Sequence, residues 1–344
     1  MEYKVVKLEN NIEEIKVYNN SGLYVSFLNL GAAIKDLCVP NKDGVSESVV
    51  MHPLDANKFI GSSSYYGKTI GRFSGRINLG KYTLNGKEVQ LEVNDNDHNC
   101  LHGGSNGVSE KYWDYEIKEE SNLIKIIFKV VAKDDGFNGE TNMTSTYVVY
   151  KNKNTIDIIY DTNSSEDTLI NMTNHTYFNL SGFGKENVLN HELKINADRY
   201  TRLDNYLITI SVDKVNEVMD FRNFKKIGTH MFDSSLKDHA AYGYDHFFMF
   251  EEINESVPQI VYQDLESQRR LKVYTDYEGV VIYSCNYPRG EEVQVGHNIS
   301  LHDSICIECQ HIPNAINMEE YKEVAVQRKN KDYQHRIRFE FDVL

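Results

Sequence analysis

Short runs in which apolar and polar residues alternate dominate this chain. In Thr155-Ile156-Asp157-Ile158-Ile159-Tyr160-Asp161, the side chains of Ile156, Ile158 and Tyr160 share one face. The run His335–Val343 alternates as cleanly, with Ile337, Phe339, Phe341 and Val343 expected inward and the charged residues outward. Similar runs, rich in Val, Ile, Tyr and Phe, occupy Leu123–Val131, Thr146–Tyr150, His246–Phe250, Gln259–Tyr262, Leu271–Thr275, Val280–Cys285 and Ser304–Cys309. Successive strand side chains point to opposite faces, so this period predicts antiparallel strands with one buried and one wet face. Turn clusters separate them, at Asn85-Gly86, Asp134-Asp135-Gly136, Asn152–Asn154 and Asn163-Ser164-Ser165. Helical periodicity is nearly absent; Leu54–Ile60 and Asn314–Tyr321 are expected to supply a turn or two each. No internal repeat or Pro/Gly-rich linker breaks the series. The pattern predicts an all-β fold, one large antiparallel β-sandwich domain spanning residues 1–344.

Composition narrows the partners. A net charge of -14, from 51 acidic residues against 37 Lys and Arg, repels nucleic acid, anionic membranes and polyphosphates at long range. A small neutral ligand fits better. Met1–Lys7 lacks the apolar core of a secretion signal, and no stretch approaches the roughly 18 apolar residues of a membrane span. The five cysteines, Cys38, Cys100, Cys285, Cys306 and Cys309, are scattered and odd in number. Such a set reads as reduced thiols in a cytoplasm. Cys306 and Cys309 form a Cys-x-x-Cys, but within a strand they face opposite sides, a poor geometry for chelating zinc. No metal is expected.

Four segments carry candidate chemistry. Glu308, in Ile305-Cys306-Ile307-Glu308-Cys309, either sits on the wet face of its strand or lines a pocket. Burial of a carboxylate raises its pKa, which is also how an acid becomes a base near neutrality. Asn171-Met172-Thr173-Asn174-His175-Thr176-Tyr177-Phe178-Asn179-Leu180-Ser181-Gly182 surrounds His175 with amides and hydroxyls. These groups can fix its tautomer and ring orientation, although the pattern alone better suits a histidine satisfied in a turn. In Leu101-His102-Gly103-Gly104, flexible glycines follow His102, as in a ligand-approaching loop or a plain surface turn. Gly71-Arg72-Phe73-Ser74-Gly75-Arg76-Ile77 sets two arginines among small residues, suited to hydroxyls or carboxylates, or simply to solvent.

Taken in order, these segments resemble the aldose 1-epimerase (galactose mutarotase) family. Gly71–Ile77 is similar to its Gly-Arg-x-Ala-Asn-Arg-Ile, Leu101–Gly104 to its Leu-His-Gly-Gly, and Asn171–Gly182 to its Leu-Thr-Asn-His-Ser-Tyr-Phe-Asn-Leu-x-Gly. Asp220-Phe221-Arg222 and Gly243-Tyr244-Asp245-His246 resemble two further elements, and Ile307–Asn317 resembles Leu-Glu-Thr-Gln-x-x-Pro-Asp-Ala-x-Asn. The resemblance implies the family's large β-sandwich, a galactose mutarotase-like supersandwich. It also implies interconversion of the α and β anomers of a free hexose, without a cofactor. Glu308 would be the general base at the C1 hydroxyl and His175 the general acid at the ring oxygen. His102 would bind near that oxygen, Arg76 and Asp245 would hold hydroxyls, and Tyr177 would neighbour the ring. Partners implied are a small aldose alone, with the chain a monomer or homodimer.

Three departures touch the site. Gly75 stands where the family often has Asn, Tyr277 where some members place a site Gln, and Cys309–Asn314 lacks the family's frequent Trp and Asp. Two rival activities remain on the same scaffold. A hexose-6-phosphate 1-epimerase would need a basic cluster, for which Arg202, Arg222 and Arg269-Arg270 are candidates. A non-catalytic carbohydrate-binding module would not need both His175 and Glu308.

Overall fold

Each alternating run coincides with a strand in the computed structural model, which describes residues 1–236, 242–288 and 290–344. Thr155–Ser164 and Tyr333–Val343 pair in antiparallel register, Ile156 opposite Phe339 and Ile158 opposite Ile337. They lie in the middle of a nine-stranded sheet flanked by Thr141–Tyr150 and Arg269–Thr275. A six-stranded sheet runs Tyr177–Phe178, Ile305–Gln310, Gly279–Tyr283, Asp245–Phe250, Ala197–Leu203, Thr209–Lys214. The first 48 residues build a five-stranded sheet from Glu2–Lys7, Glu13–Tyr18, Tyr24–Leu28, Ala33–Pro40 and Ser46–Ser48.

One hydrophobic core joins the three sheets. Val17 and Phe27 come to it from the N-terminal sheet, Ile126, Ile158 and Phe339 from the nine-stranded sheet, and Phe248, Ile282 and Ile307 from the six-stranded one. Each such fully buried side chain contributes about 1.5–3 kcal/mol through the water it excludes. The outer face of the nine-stranded sheet is not simply wet. Asp157 is almost wholly buried, accepting bonds from Tyr150, Arg336 and Arg338.

The structure corrects some details of the pattern. Val343, expected inward, is 39% exposed at the end of its strand. Asn163 and Ser164, expected in a turn, extend their strand and pair with Asn142 and Thr141. The two expected helical turns are single 3-10 turns, Ala56–Phe59 capped by Asp55, and Ala315–Asn317. Asn85-Gly86 does connect the hairpin Lys81–Leu84 and Lys87–Gln90. All five cysteines are free. Among the described residues no helix is long and apolar enough to cross a membrane.

Candidate active site

Period-two alternation in the six-stranded sheet builds the floor of a cavity of about 510 Å³. Ile305, Ile307 and Cys309 face the core, so Cys306, Glu308 and Gln310 turn the other way. The antiparallel register extends that face sideways. Glu308 lies opposite Val281, and Val281 opposite Phe247; Cys306 lies opposite Tyr283 and Tyr177, and Tyr283 opposite Asp245. Asp245, Phe247, Val281, Tyr283, Tyr177, Glu308 and Gln310 therefore line one cavity. Glu308, left open between surface and pocket by its strand alone, is 3% exposed and in the pocket.

Loops supply the opposite wall. Arg76–Ile77 pairs with Cys100–Leu101, which brings His102 next to Gly75. The Gly75 N–H donates to His102 Nδ1 at 3.2 Å, and the His102 N–H donates to the Gly75 carbonyl at 3.1 Å. Gly75 has φ +77°, and a Cβ there would lie 2.9 Å from Pro313 Cβ. This site therefore holds the smaller residue because Pro313 fills the space. The glycines after His102 do not open toward a ligand: a Cβ on Gly103 would meet the Gly71 carbonyl at 2.4 Å, so the loop packs on protein backbone.

His175 is placed by its polar neighbours, though not through its ring as expected. Thr173 Oγ1 donates to the Cys309 carbonyl at 2.8 Å, and Asn171 exchanges bonds with the backbone of His311. Asn174 Nδ2 donates to the Gly67 carbonyl, whose own N–H donates to the His175 carbonyl. These groups fasten the His175 backbone beside the Glu308 strand. The ring itself is set by Cys306 Sγ, 3.5 Å from Nδ1, and by Tyr177, whose ring centroid lies 5.0 Å away. His175 Nε2 then lies 3.6 Å from Glu308 Oε1, and the His102 ring stands edge-on to it at 5.4 Å.

Burial shifts both members of this pair toward their neutral forms. Desolvation, reinforced by Asp245 and opposed by Arg76, holds the Glu308 pKa well above the carboxylate range. Desolvation lowers His175 to about 4, partly offset by a bond to its own backbone. Desolvation, the neighbouring His175 and Arg76 push His102 well below its usual value. The two groups face each other at 3.6 Å, so the titration of one is coupled to that of the other. Arg76 is 2.8 Å from Asp95 and 3.3 Å from Asp245. Burial opposes its charge, but the two carboxylates outweigh that and raise its pKa. Burial raises Asp245, with Arg76 working against it.

The ligand-type atoms of His102, His175 and Glu308 lie within 4.8 Å of one another. The His102 environment disfavours an ion there. Its Nδ1 accepts the Gly75 N–H, so a neutral ring carries its proton on Nε2 and presents a donor to the cavity. Either nitrogen would have to give up that arrangement to bind metal.

All six residues expected at the site, Arg76, His102, His175, Tyr177, Asp245 and Glu308, line the cavity. Other expectations do not converge there. Tyr277 is fully buried elsewhere; its hydroxyl is 2.7 Å from the Met172 carbonyl and 2.6 Å from the Tyr333 hydroxyl. Arg72 is inside the protein, bound bidentately to Asp135 and to the carbonyls of Ala132, Asn138 and Gly139. Arg202, Arg222 and Arg270 pair with Asp213, Asp220 and Asp342, and buried Arg269 holds Glu47. None of the four lines the cavity. Sequence reasoning passed over Gln310, which is wholly buried with neither amide atom hydrogen-bonded among the described residues. Its place two residues after Glu308 was the available signal. Asp95 lies in a polar loop whose sequence offers none.

Comparison with known proteins gives the family. The family model described as aldose 1-epimerase matches residues 13–340. Galactose mutarotase of Mus musculus is 31% identical over 324 residues, 93% of this chain and 92% of that protein. Aldose 1-epimerase of Haemophilus influenzae is 30% identical over 331 residues, 95% of each. The crystal structure of galactose 1-epimerase from Lactobacillus acidophilus superposes with a TM-score of 0.86 and 25% identity, covering 99% of both chains. With the family's model matched across nearly its whole length, the cavity floored by Glu308 and His175 is that of a chain belonging to the aldose 1-epimerase family.

Proposed function

We propose that this chain is a mutarotase for a free hexose, opening and reclosing the hemiacetal ring by acid–base chemistry between Glu308 and His175. The observation that carries this reading is the facing pair itself, 3.6 Å apart with pKa shifts of opposite sense. A carboxylate whose pKa is raised is a stronger base, and an imidazolium whose pKa is lowered is a stronger acid. Each shift therefore favours the role the family resemblance assigns.

The forward step starts from the charged tautomer of the pair, which holds the same single proton as the neutral one: Glu308 carboxylate takes the proton of the C1 hydroxyl while His175 imidazolium protonates O5. The C1–O5 bond breaks, its electron pair stays on O5, and C1 becomes an aldehyde. Rotation about C1–C2 presents the other carbonyl face, and the reverse transfers close the opposite anomer. The pair begins and ends with one shared proton, so the cycle needs no outside acid, base or oxidant. The Nε2–H of His102 supports the charge near O5. Arg76, braced by Asp95 and Asp245, and the unpaired amide of Gln310 hold hydroxyls.

An anionic substrate is disfavoured, because the cation at the cavity stands between two carboxylates and the other candidate arginines are engaged elsewhere. This reading treats the chain as a single cytoplasmic domain, monomeric or homodimeric, taking galactose or glucose. Polarimetry on freshly dissolved α-D-galactose and α-D-glucose tests it. Wild type should relax the rotation far faster than buffer. Glu308→Gln and His175→Asn should each lose roughly 100- to 10,000-fold, the usual worth of a positioned acid or base. A wild-type trace equal to buffer on both sugars refutes the reaction; sugar binding without a rate would instead support a carbohydrate-binding module.

A further inference from the structure

A second cluster of ligand-type side chains lies outside the cavity. His191 Nε2 is 3.8 Å from Asp264 Oδ1 and 4.0 Å from Glu186 Oε1, and the three ligand atoms lie within 4.8 Å of one another. None of the three lines the cavity described above. They come from different parts of the fold. Glu186 sits in the loop before the turn Val188–Asn190, and His191 closes that turn and leads into strand Glu192–Ile195. Asp264 follows strand Ile260–Gln263 of the nine-stranded sheet, at the start of the turn into Arg269–Thr275.

The imidazole is the independent pointer to a ligand. His191 is 0% exposed, its Nδ1 is 2.5 Å from the Tyr262 hydroxyl, and its Nε2 has no hydrogen-bond partner among the described residues. A buried polar nitrogen without a partner costs about 1–3 kcal/mol. Both carboxylates stand beyond hydrogen-bond reach of it yet face it. An ion at about 2.0–2.2 Å from an imidazole nitrogen and from carboxylate oxygens spaces neighbouring ligands roughly 3–4 Å apart, and His191 Nε2 stands 3.8 and 4.0 Å from the two carboxylates. The nearby Lys185 is spent on Glu47. Glu186 and Asp264 border a surface recess, lined also by Ser181, Lys185 and Glu266, through which an ion and its water would enter.

We propose that Glu186, His191 and Asp264 form a structural site for a divalent first-row transition ion of the zinc type, remote from the reaction. One imidazole and two carboxylates suit such an ion, with water from the recess completing the coordination. Bound there, it ties the Glu186 loop and the turn after Asp264 to the start of strand Glu192–Ile195.

The test titrates chelator-stripped protein with Zn2+ by calorimetry and with Co2+ by visible absorption, beside Glu186→Gln, His191→Gln and Glu308→Gln. Wild type and Glu308→Gln should bind one equivalent with a higher unfolding midpoint. Glu186→Gln, whose side chain is at the rim and one-third exposed, should bind at least tenfold more weakly while keeping wild-type mutarotation. His191→Gln should lose binding if it folds. No stoichiometric binding by wild type, equal affinity in Glu186→Gln, or loss of binding in Glu308→Gln would overturn the proposal, the last by placing the ion in the cavity.

Discussion

Replacing one member of the His175–Glu308 pair should change how stability depends on pH, with opposite signs for the two members. His175 goes from 6.5 in the unfolded chain to about 4 in the fold. Between those values the unfolded chain binds the extra proton, so this group's contribution is intact above 6.5 and is lost as pH falls toward 4. From pH 7 to pH 5 the loss is about 2 kcal/mol, at 1.36 kcal/mol per pKa unit. Glu308 is raised above 4.5, so its contribution is full below that value and is lost as pH rises through the folded pKa. In the wild type the two trends oppose each other across mildly acidic pH. His175→Asn removes the first: on going from pH 7 to pH 5 it should gain about 2 kcal/mol relative to wild type. Glu308→Gln removes the second and should become more acid-labile than wild type over the same interval. Urea unfolding at each pH, followed by the buried Trp113, the only tryptophan, reads both differences. Curves for the two variants that run parallel to wild type would refute the assignment of buried, neutral partners.

Arg72→Met should cost about 3–5 kcal/mol in urea unfolding, because it strands Asp135, 1% exposed, without its partner. Tyr277→Phe should cost about 1–3 kcal/mol by leaving the Met172 carbonyl unbonded, while kcat and KM stay at wild-type values, since the ring is outside the cavity. Gly75→Asn strains a backbone held at φ +77° and drives Cβ against Pro313; it should raise KM, and Pro313→Ala in the same chain should restore the part of the loss that comes from the clash. An unchanged KM in the single variant would show that the Pro313 wall yields freely.

Period two in the chain was enough to locate the strands of the nine- and six-stranded sheets and to put Ile156, Ile158 and Tyr160 in the core, because pleating sends alternate side chains to opposite faces whatever the partner strand. The N-terminal sheet was not legible that way. Glu2–Lys7 is exposed along nearly its whole length, and in Tyr24–Leu28 four consecutive residues are buried, so neither alternates. Ordered motifs named six of the residues that line the cavity, since the side chains that fasten His175, those of Asn171, Thr173 and Asn174, are its near neighbours in sequence even though their bonding partners are not. What a strand cannot say is which of its faces meets a cavity. For Glu308 that depended on Val281 and Tyr283 lying across from its strand and on His175 arriving from a distant loop. For Arg72 and Tyr277 it depended on Asp135 and Tyr333, partners 63 and 56 residues away, which drew both side chains inward. Burial and charge partners are set by contacts between distant segments, so the acid–base character of the pair, like the empty imidazole face of His191, belongs to the tertiary structure alone.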